Sequence, residues 1–209
     1  MVRFVAAERK YNLSFTAGGL MPGESTALAA VYLQQSDWTA TKAVVLDQNL
    51  FQTRTESTAR RKLRELIPRL SALTHEQLQL IVSGSISEQR ALLWLSVCKR
   101  NTILKDFACM VVREKYLTLD LRIRTTDFEQ FLDSQSVWHE ELEKLTPSTR
   151  TKLATVTMRM LREAEIVNSD GIIQPTLMSP DLAQVIRDDD RSWFEVFPVG
   201  LADIPGVAA

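Results

Sequence analysis

Apolar residues recur at intervals of three and four along most of the chain, runs of β-branched residues are short, and polar breaks separate the periodic stretches. This is the pattern of amphipathic helices around a shared core, so it predicts a nearly all-α protein, a compact multi-helix fold. Three helix starts carry capping-box spacing: Thr74-x-x-Gln77, Ser85-x-x-Glu88 and Thr126-x-x-Glu129. In each, the hydroxyl can take a free backbone N–H while the later side chain reaches back. They predict helices over 75–83, 87–100 and 127–133. Met21-Pro22-Gly23 breaks the chain ahead of a helix over 24–35, and Ser36-Asp37-Trp38 ahead of one over 39–50. A further helix over 56–66 is expected to end near Pro68, which lacks a backbone donor.

The most apolar stretch, 91–117, reads as two packed helices separated near Asn101-Thr102. Trp94, Leu95, Ile103, Leu104, Phe107, Met110 and Val111 recur there at helical spacing, which marks a core stripe. After Leu119 the pattern resets through polar turns. Two lobes follow, 1–119 and 120–209, the second ending in an acidic tail. No internal repeat or low-complexity tract is visible.

Two segments have the form of helix-turn-helix units. The first, 38–70, is a helix with apolar Ala43, Val44, Leu46 and Leu50, a polar turn at Gln52-Thr53-Arg54, and a second helix. In that helix Ala59, Leu63, Leu66, Ile67 and Leu70 share an inner face. The opposite side carries Ser57, Arg61 and Arg64, flanked by Thr58 and Lys62. A slim hydroxyl first turn followed by cations suits entry into the DNA major groove and contact with phosphates or guanine edges. The second unit, 137–175, places a short helix over 140–145, a turn at Thr146-Pro147, and a helix over 148–165 with Leu153, Val156, Met160, Leu161 and Ala164 inside. Thr149, Lys152, Thr155, Arg159 and Arg162 recur outside. Ile166-Val167 and Ile172-Ile173 flank Asn168-Ser169-Asp170-Gly171, which predicts a small β-hairpin and hence a winged variant of the motif. The bland alternative is that both basic faces are merely solvated.

Charge supports looking for an anionic partner despite a formal net charge of −1 over 209 residues. Arg54, Arg60, Arg61, Lys62, Arg64 and Arg69 face only Glu56 and Glu65 within 54–70, and Arg150, Lys152, Arg159 and Arg162 face only Glu163 within 148–164. The tail from Asp181 to Asp203 is acidic, with Asp188-Asp189-Asp190 beside Trp193, Phe194 and Phe197. That triplet lacks the rest of a calcium loop. Cys98 and Cys109 lack metal or redox spacing and read as buried, reduced thiols. His75 and His139 have no triad partners nearby and read as surface residues. No phosphate-loop or dinucleotide motif occurs, so neither catalysis, a metal nor a cofactor is expected. The longest apolar run, Phe107–Val112, is far short of the roughly 20 residues that span a membrane, and Arg3, Glu8, Arg9 and Lys10 interrupt any leader-like opening. A cytoplasmic protein is expected.

The stretch Tyr11-Asn12-Leu13-Ser14-Phe15-Thr16-Ala17-Gly18-Gly19-Leu20-Met21 resembles the opening of the BrxA family. The likeness continues through Glu24-Ser25 to Leu33, the Trp38 unit and Arg60-Arg61-Lys62-Leu63, and so spans most of the chain. The resemblance implies a small core component of BREX bacteriophage-exclusion systems, encoded with a DNA methyltransferase, a large ATPase and a phosphatase-like protein. It also implies likeness to the NusB antitermination fold. The family has been labelled an inner-membrane protein, against which the composition argues. It brings no catalytic residues.

The leading expectation is a non-enzymatic protein that binds double-stranded DNA through Arg54, Ser57, Thr58, Arg61, Lys62 and Arg64 of the first unit and Thr149, Lys152, Thr155, Arg159 and Arg162 of the second. Two units in one chain would let a monomer bind bivalently. The alternative is an assembly adaptor for other BREX proteins, docking through the acidic, aromatic tail. A third reading, RNA binding, is less favoured because neither basic face offers aromatic rings for stacking.

Overall fold

A computed structural model describes residues 10–15 and 18–206, and all of their regular structure is helical. In chain order the helices are α1 (Pro22–Gln35), α2 (Trp38–Asp47), α3 (Glu56–Leu70), α4 (His75–Ser83), α5 (Ile86–Arg100) and α6 (Thr102–Phe107). A π-helical segment (Ala108–Arg113) joins α6 to α7 (Glu114–Leu117). Then come α8 (Thr125–Ser136), α9 (Glu140–Glu143), α10 (Pro147–Glu163), α11 (Pro180–Asp189) and two 3₁₀ turns (Arg191–Val196, Leu201–Asp203).

Helix α5 is the centre of the packing. All eight residues from Ala91 to Cys98 are buried, as expected of a helix enclosed on every side. Its one polar member there, Ser96, donates its hydroxyl to the Leu93 carbonyl at 2.7 Å. Helices α1, α3, α4, α6 and α10 all touch it, and α1 also packs on α2 and α4. The α1–α2 corner is closed by Tyr32 stacked on Trp38, with ring centroids 3.9 Å apart, while Asp37 caps α2 by accepting from the Ala40 amide at 2.6 Å.

The capping boxes at Thr74/Gln77 and Ser85/Glu88 form as the spacing predicts. The third start is displaced. Helix α8 begins at Thr125 because Asp127 reaches back to the Arg124 amide at 2.6 Å, two residues ahead of the expected Thr126 cap. Helix α3 also runs past Pro68 to Leu70, since a proline in the last turn forgoes only one bond, to the exposed Arg64. Met110 belongs to the expected core stripe yet is 38% exposed. The π-helical segment adds a residue to its turn and so swings Met110 out of the α6 register.

No two-stranded hairpin forms over 166–173. Its place is taken by two isolated antiparallel bridges, Val167 with Ile173 and Arg122 with Ile172. The Asn168 side chain accepts from the amides of Asp170 and Ile172, both at 2.9 Å, and Gly171 takes a φ of 77° to close the turn. Ile173 then donates to Leu121 at 2.7 Å and Gln174 to Ile166 at 2.8 Å. Pairing is thus shared among three very short segments.

The acidic tail packs on the body. Gln77 of α4 donates to the Val185 carbonyl at 3.0 Å, Lys99 of α5 pairs with Asp189 at 2.5 Å, and the buried Trp94 indole donates to the Val196 carbonyl at 2.9 Å. Trp193 lies under the ammonium groups of Lys99 and Lys105, which are 5.7 and 5.0 Å from its ring centre. Asp188 and Asp190 are taken up by Gln184 and by the Ser192 amide. The triplet serves helix ends and an ion pair, and Phe194 and Phe197 are core residues rather than a docking patch.

Candidate nucleic-acid interface

Helices α3 and α10 begin in the same way. At α3, Thr55 accepts from the Thr58 amide at 3.3 Å, and its hydroxyl meets those of Ser57 and Thr58 at 3.1 and 2.9 Å. At α10, Thr146 accepts from the Thr149 amide at 3.3 Å, and its hydroxyl meets those of Ser148 and Thr149 at 3.1 and 2.8 Å. A Thr-x-Ser-Thr turn therefore opens each helix with a hydroxyl cluster that satisfies otherwise free backbone donors.

Beyond the cap, α3 buries Ala59, Leu63, Leu66 and Leu70 and leaves Ser57, Arg61 and Arg64 exposed. Arg54 is exposed just before the helix. It borders a groove of about 820 Å³ between α2 and α3, with Lys42, Asn49, Thr53 and Arg60. Lys42, Ser57, Arg60 and Arg64 converge on a second recess of about 370 Å³. Lys62 departs from this set. Its ammonium pairs with Glu24 of α1 at 2.6 Å, both side chains being 26% exposed. Burial opposes ionisation of Glu24, but Lys62 and a backbone N–H outweigh it and hold the carboxyl below its ordinary range. Arg60 is likewise tied to Glu56.

On α10, Leu153, Val156, Met160 and Leu161 face inward, and Lys152, Thr155, Arg159 and Arg162 are exposed. The helix that packs along it is α8, whereas the spacing had assigned the partner to 140–145; α9 is a single turn within the connection. Thr155 spends its proton on the Thr151 carbonyl at 2.8 Å. Arg159 sits 3.8 Å from Glu163, with the arginine half exposed. Arg162 borders a 550 Å³ cavity with Glu165, Asn168, Ser169 and Gln174, beside the bridged turn. Among the described residues, no carboxylate lies within ion-pair distance of Arg54, Arg61, Arg64, Lys152 or Arg162.

Three cations near these faces escaped the sequence reading. Lys42 lies on α2, outside the apolar Ala43, Val44 and Leu46, and borders the α2–α3 groove. Arg122 and Arg124 are exposed beside the bridged turn, and Arg122 donates to the Asp170 carbonyl at 3.3 Å. Their signal was a basic pair, Arg122-x-Arg124, just ahead of a helix.

His139 is not a surface residue. It is 7% exposed, stacks on Tyr11 at 3.9 Å, and places Nδ1 3.2 Å from Glu141. His75 is exposed. Both cysteines are free; burial pushes the Cys98 thiol well up and that of Cys109 to about 12, so neither offers a reactive thiolate. No cluster of metal-ligating side chains occurs among the described residues, and no described helix is long and apolar enough to cross a membrane.

The BrxA family model matches residues 9–190 of the chain, from the opening motif through both helix pairs to the end of α11. The chain belongs to the BrxA family. Its similar BrxA relatives include the "BREX protein BrxA" of Escherichia coli O9:H4 (strain HS), 26% identical over 172 residues, covering 81% of each chain. The protein of the same name from Paramagnetospirillum magneticum (strain ATCC 700264 / AMB-1) is 22% identical over 196 residues, covering 90% of this chain and 95% of its own. A crystal structure of an uncharacterized protein from Magnetospirillum magneticum superposes with a TM-score of 0.75 at 19% identity. It covers 91% of this BrxA-family chain and 98% of its own, which establishes a common fold.

Proposed function

We propose that this BrxA-family chain is a non-enzymatic, cytoplasmic component of a BREX phage-defence system, and that it binds double-stranded DNA through two helix-turn-helix units, one in each of the lobes 1–119 and 120–209. Helices α3 and α10 are the recognition helices. The observation that carries the reading is the repeated build of their faces: a Thr-x-Ser-Thr capped turn followed by exposed cations, of which Arg61 and Arg64 on α3 and Lys152 and Arg162 on α10 have no carboxylate within ion-pair distance among the described residues. A solvated face has no reason to repeat both the turn and the order that follows it. In the second unit, the order helix, short extended segment, α8, α10, and two bridged segments supports a minimal winged arrangement, with 168–171 as the wing.

Arg54, Arg61 and Arg64 with Lys42 form the first contact set, with Ser57 and Thr58 at the helix entry. Lys152, Arg159 and Arg162 form the second, with Thr149 and Thr155 between them. Contacts made mainly to phosphate release counterions, so affinity falls steeply as salt rises. Fluorescence anisotropy against duplex DNA, single-stranded DNA and RNA of equal length, at two salt concentrations, tests this. Salt-sensitive binding confined to duplex is expected. Binding to none of the three at low salt would leave the faces as solvated surface.

A second reading, assembly with the methyltransferase, ATPase or phosphatase-like protein of the system, draws on Val137 and Trp138. These are 73% and 72% exposed side by side at the α8–α9 turn. In the tail, Phe194 and Phe197 are buried, so only its exposed charges, among them Asp181, Asp188 and Glu195, are free to meet a partner.

A further inference from the structure

Within residues 11–21, the stretch that resembles the family's opening, no side chain belongs to the proposed DNA contacts, yet Gly19 and Leu20 are bonded to both candidate recognition helices; Thr16 and Ala17 lie outside the described residues. Arg69, in the last turn of α3 and 2% exposed, donates from Nη1 to the Gly19 carbonyl at 2.8 Å. One residue on, the Leu20 amide donates to Glu163 Oε2 at 2.5 Å, and Glu163 is the last residue of α10. The ends of α3 and α10 thus hold opposite faces of one short backbone stretch. A Cβ at Gly19 would overlap the Glu163 carboxylate, so alanine there would push the end of that side chain away from the Leu20 amide.

That stretch is itself fixed. Leu20 is 1% exposed and its carbonyl accepts the buried Ser25 hydroxyl at 3.0 Å, after which Met21 turns the chain into α1 with a φ of 51°. Phe15 is 1% exposed. At the far end, the Tyr11 amide donates to Glu141 at 2.6 Å and its phenol to Asp106 at 2.8 Å, while its ring stacks on His139. Tyr11 therefore grips α6 and the short α9 connection that leads into α10.

We propose that residues 18–21, with Tyr11 as a second anchor, are a brace that sets the spacing and orientation of α3 relative to α10, with Gly19, Arg69 and Glu163 as its positioning residues. The proposal rests on the duplex-binding reading and deepens it: the two units are held for simultaneous contact with a single duplex. A fixed spacing makes the second contact intramolecular, which raises affinity by about 10² to 10⁴ over one unit, and that gain is lost when the geometry no longer fits.

The test compares a duplex of about one helical turn, which seats one unit, with one of about three turns. Gly19→Ala is expected to weaken binding to the long duplex at least about tenfold and to the short one by no more than about twofold. Glu163→Ala should behave alike. Glu163→Gln loses the same charge but keeps an acceptor for the Leu20 amide, and should stay within about twofold of the parent on both. Equal losses on the two duplexes, or an unchanged long-duplex affinity, would overturn the brace. A second arm needs no DNA: spin labels at Ser57→Cys and Ser148→Cys, with Cys109→Ser, read the distance between the two helix starts. One narrow distance in the parent, broadened or shifted by Gly19→Ala, is expected, and an unchanged distribution would overturn the proposal. If the parent binds neither duplex, the DNA reading fails, while the distance arm still decides whether the segment positions the helices.

Discussion

At the scale of single residues, two neighbours on α3 separate the proposed contact from its bystanders. Arg61 and Lys62 are adjacent cations on the exposed side of an amphipathic helix, and their spacing gives no reason to treat them differently. The fold does, because Glu24 in the first turn of α1 takes Lys62 and leaves Arg61 facing solvent. Arg61→Ala is therefore expected to lower duplex affinity and reduce the slope of log affinity against log salt by about one. Lys62→Ala should leave that slope unchanged and instead cost about 0.2–1 kcal/mol of folding stability, the usual worth of a partly exposed pair. Anisotropy titrations across salt concentrations, with urea unfolding on the same two variants, measure both. Equal slopes for the two variants would return Lys62 to the interface. The same lesson applies to His139, whose burial depends on Tyr11, 128 positions earlier, a partner that no local pattern could name.

At the scale of the element, α3 and α10 depend on their first turns. Each Thr cap accepts a backbone amide and draws two further hydroxyls together, so Thr55→Ala and Thr146→Ala are each expected to cost about 1 kcal/mol. Because the caps are at separate sites, the double variant should lose about the sum, read as the shift of the urea midpoint at constant slope. A clearly smaller loss would mean that the turns are held from outside the helices. Most elements were legible because their information is local: the Thr74/Gln77 and Ser85/Glu88 boxes and the stripe on α5 are set within a few residues. What was missed depends on competition. Asp127 captured the α8 start from Thr126. Pro68 stayed helical because its position in the last turn made the forgone bond inexpensive. Ser179-Pro180, a hydroxyl cap with proline at the first position, announced α11, but the acidic character of the tail obscured it.

At the scale of the whole molecule, the tail illustrates how far composition can mislead about role. Read as sequence, Asp181–Asp203 is acidic with exposed-looking aromatics, the profile of a docking peptide. In the fold, Leu182, Ile186, Phe194, Val196, Phe197 and Val199 are each at most 5% exposed, and Lys99, Gln77 and Trp94 bind the tail from the first half of the chain. At about 1.5–3 kcal/mol for each such side chain, their removal takes away roughly 9–18 kcal/mol of burial. That is comparable to the entire 5–15 kcal/mol by which domains are stable. Removal of residues 181–209 is thus expected to abolish cooperative unfolding, seen as loss of a sharp thermal transition in circular dichroism, and to expose Trp94 to water, seen as a red shift in its fluorescence. Any partner lost along with the tail would then have been lost through unfolding. Substitutions that keep the core separate the two explanations: Asp188→Asn and Glu195→Gln alter exposed charge alone and should preserve both the transition and duplex binding. A truncated chain that still melted sharply would show that the first 180 residues fold unaided, and would restore the tail as a candidate docking element.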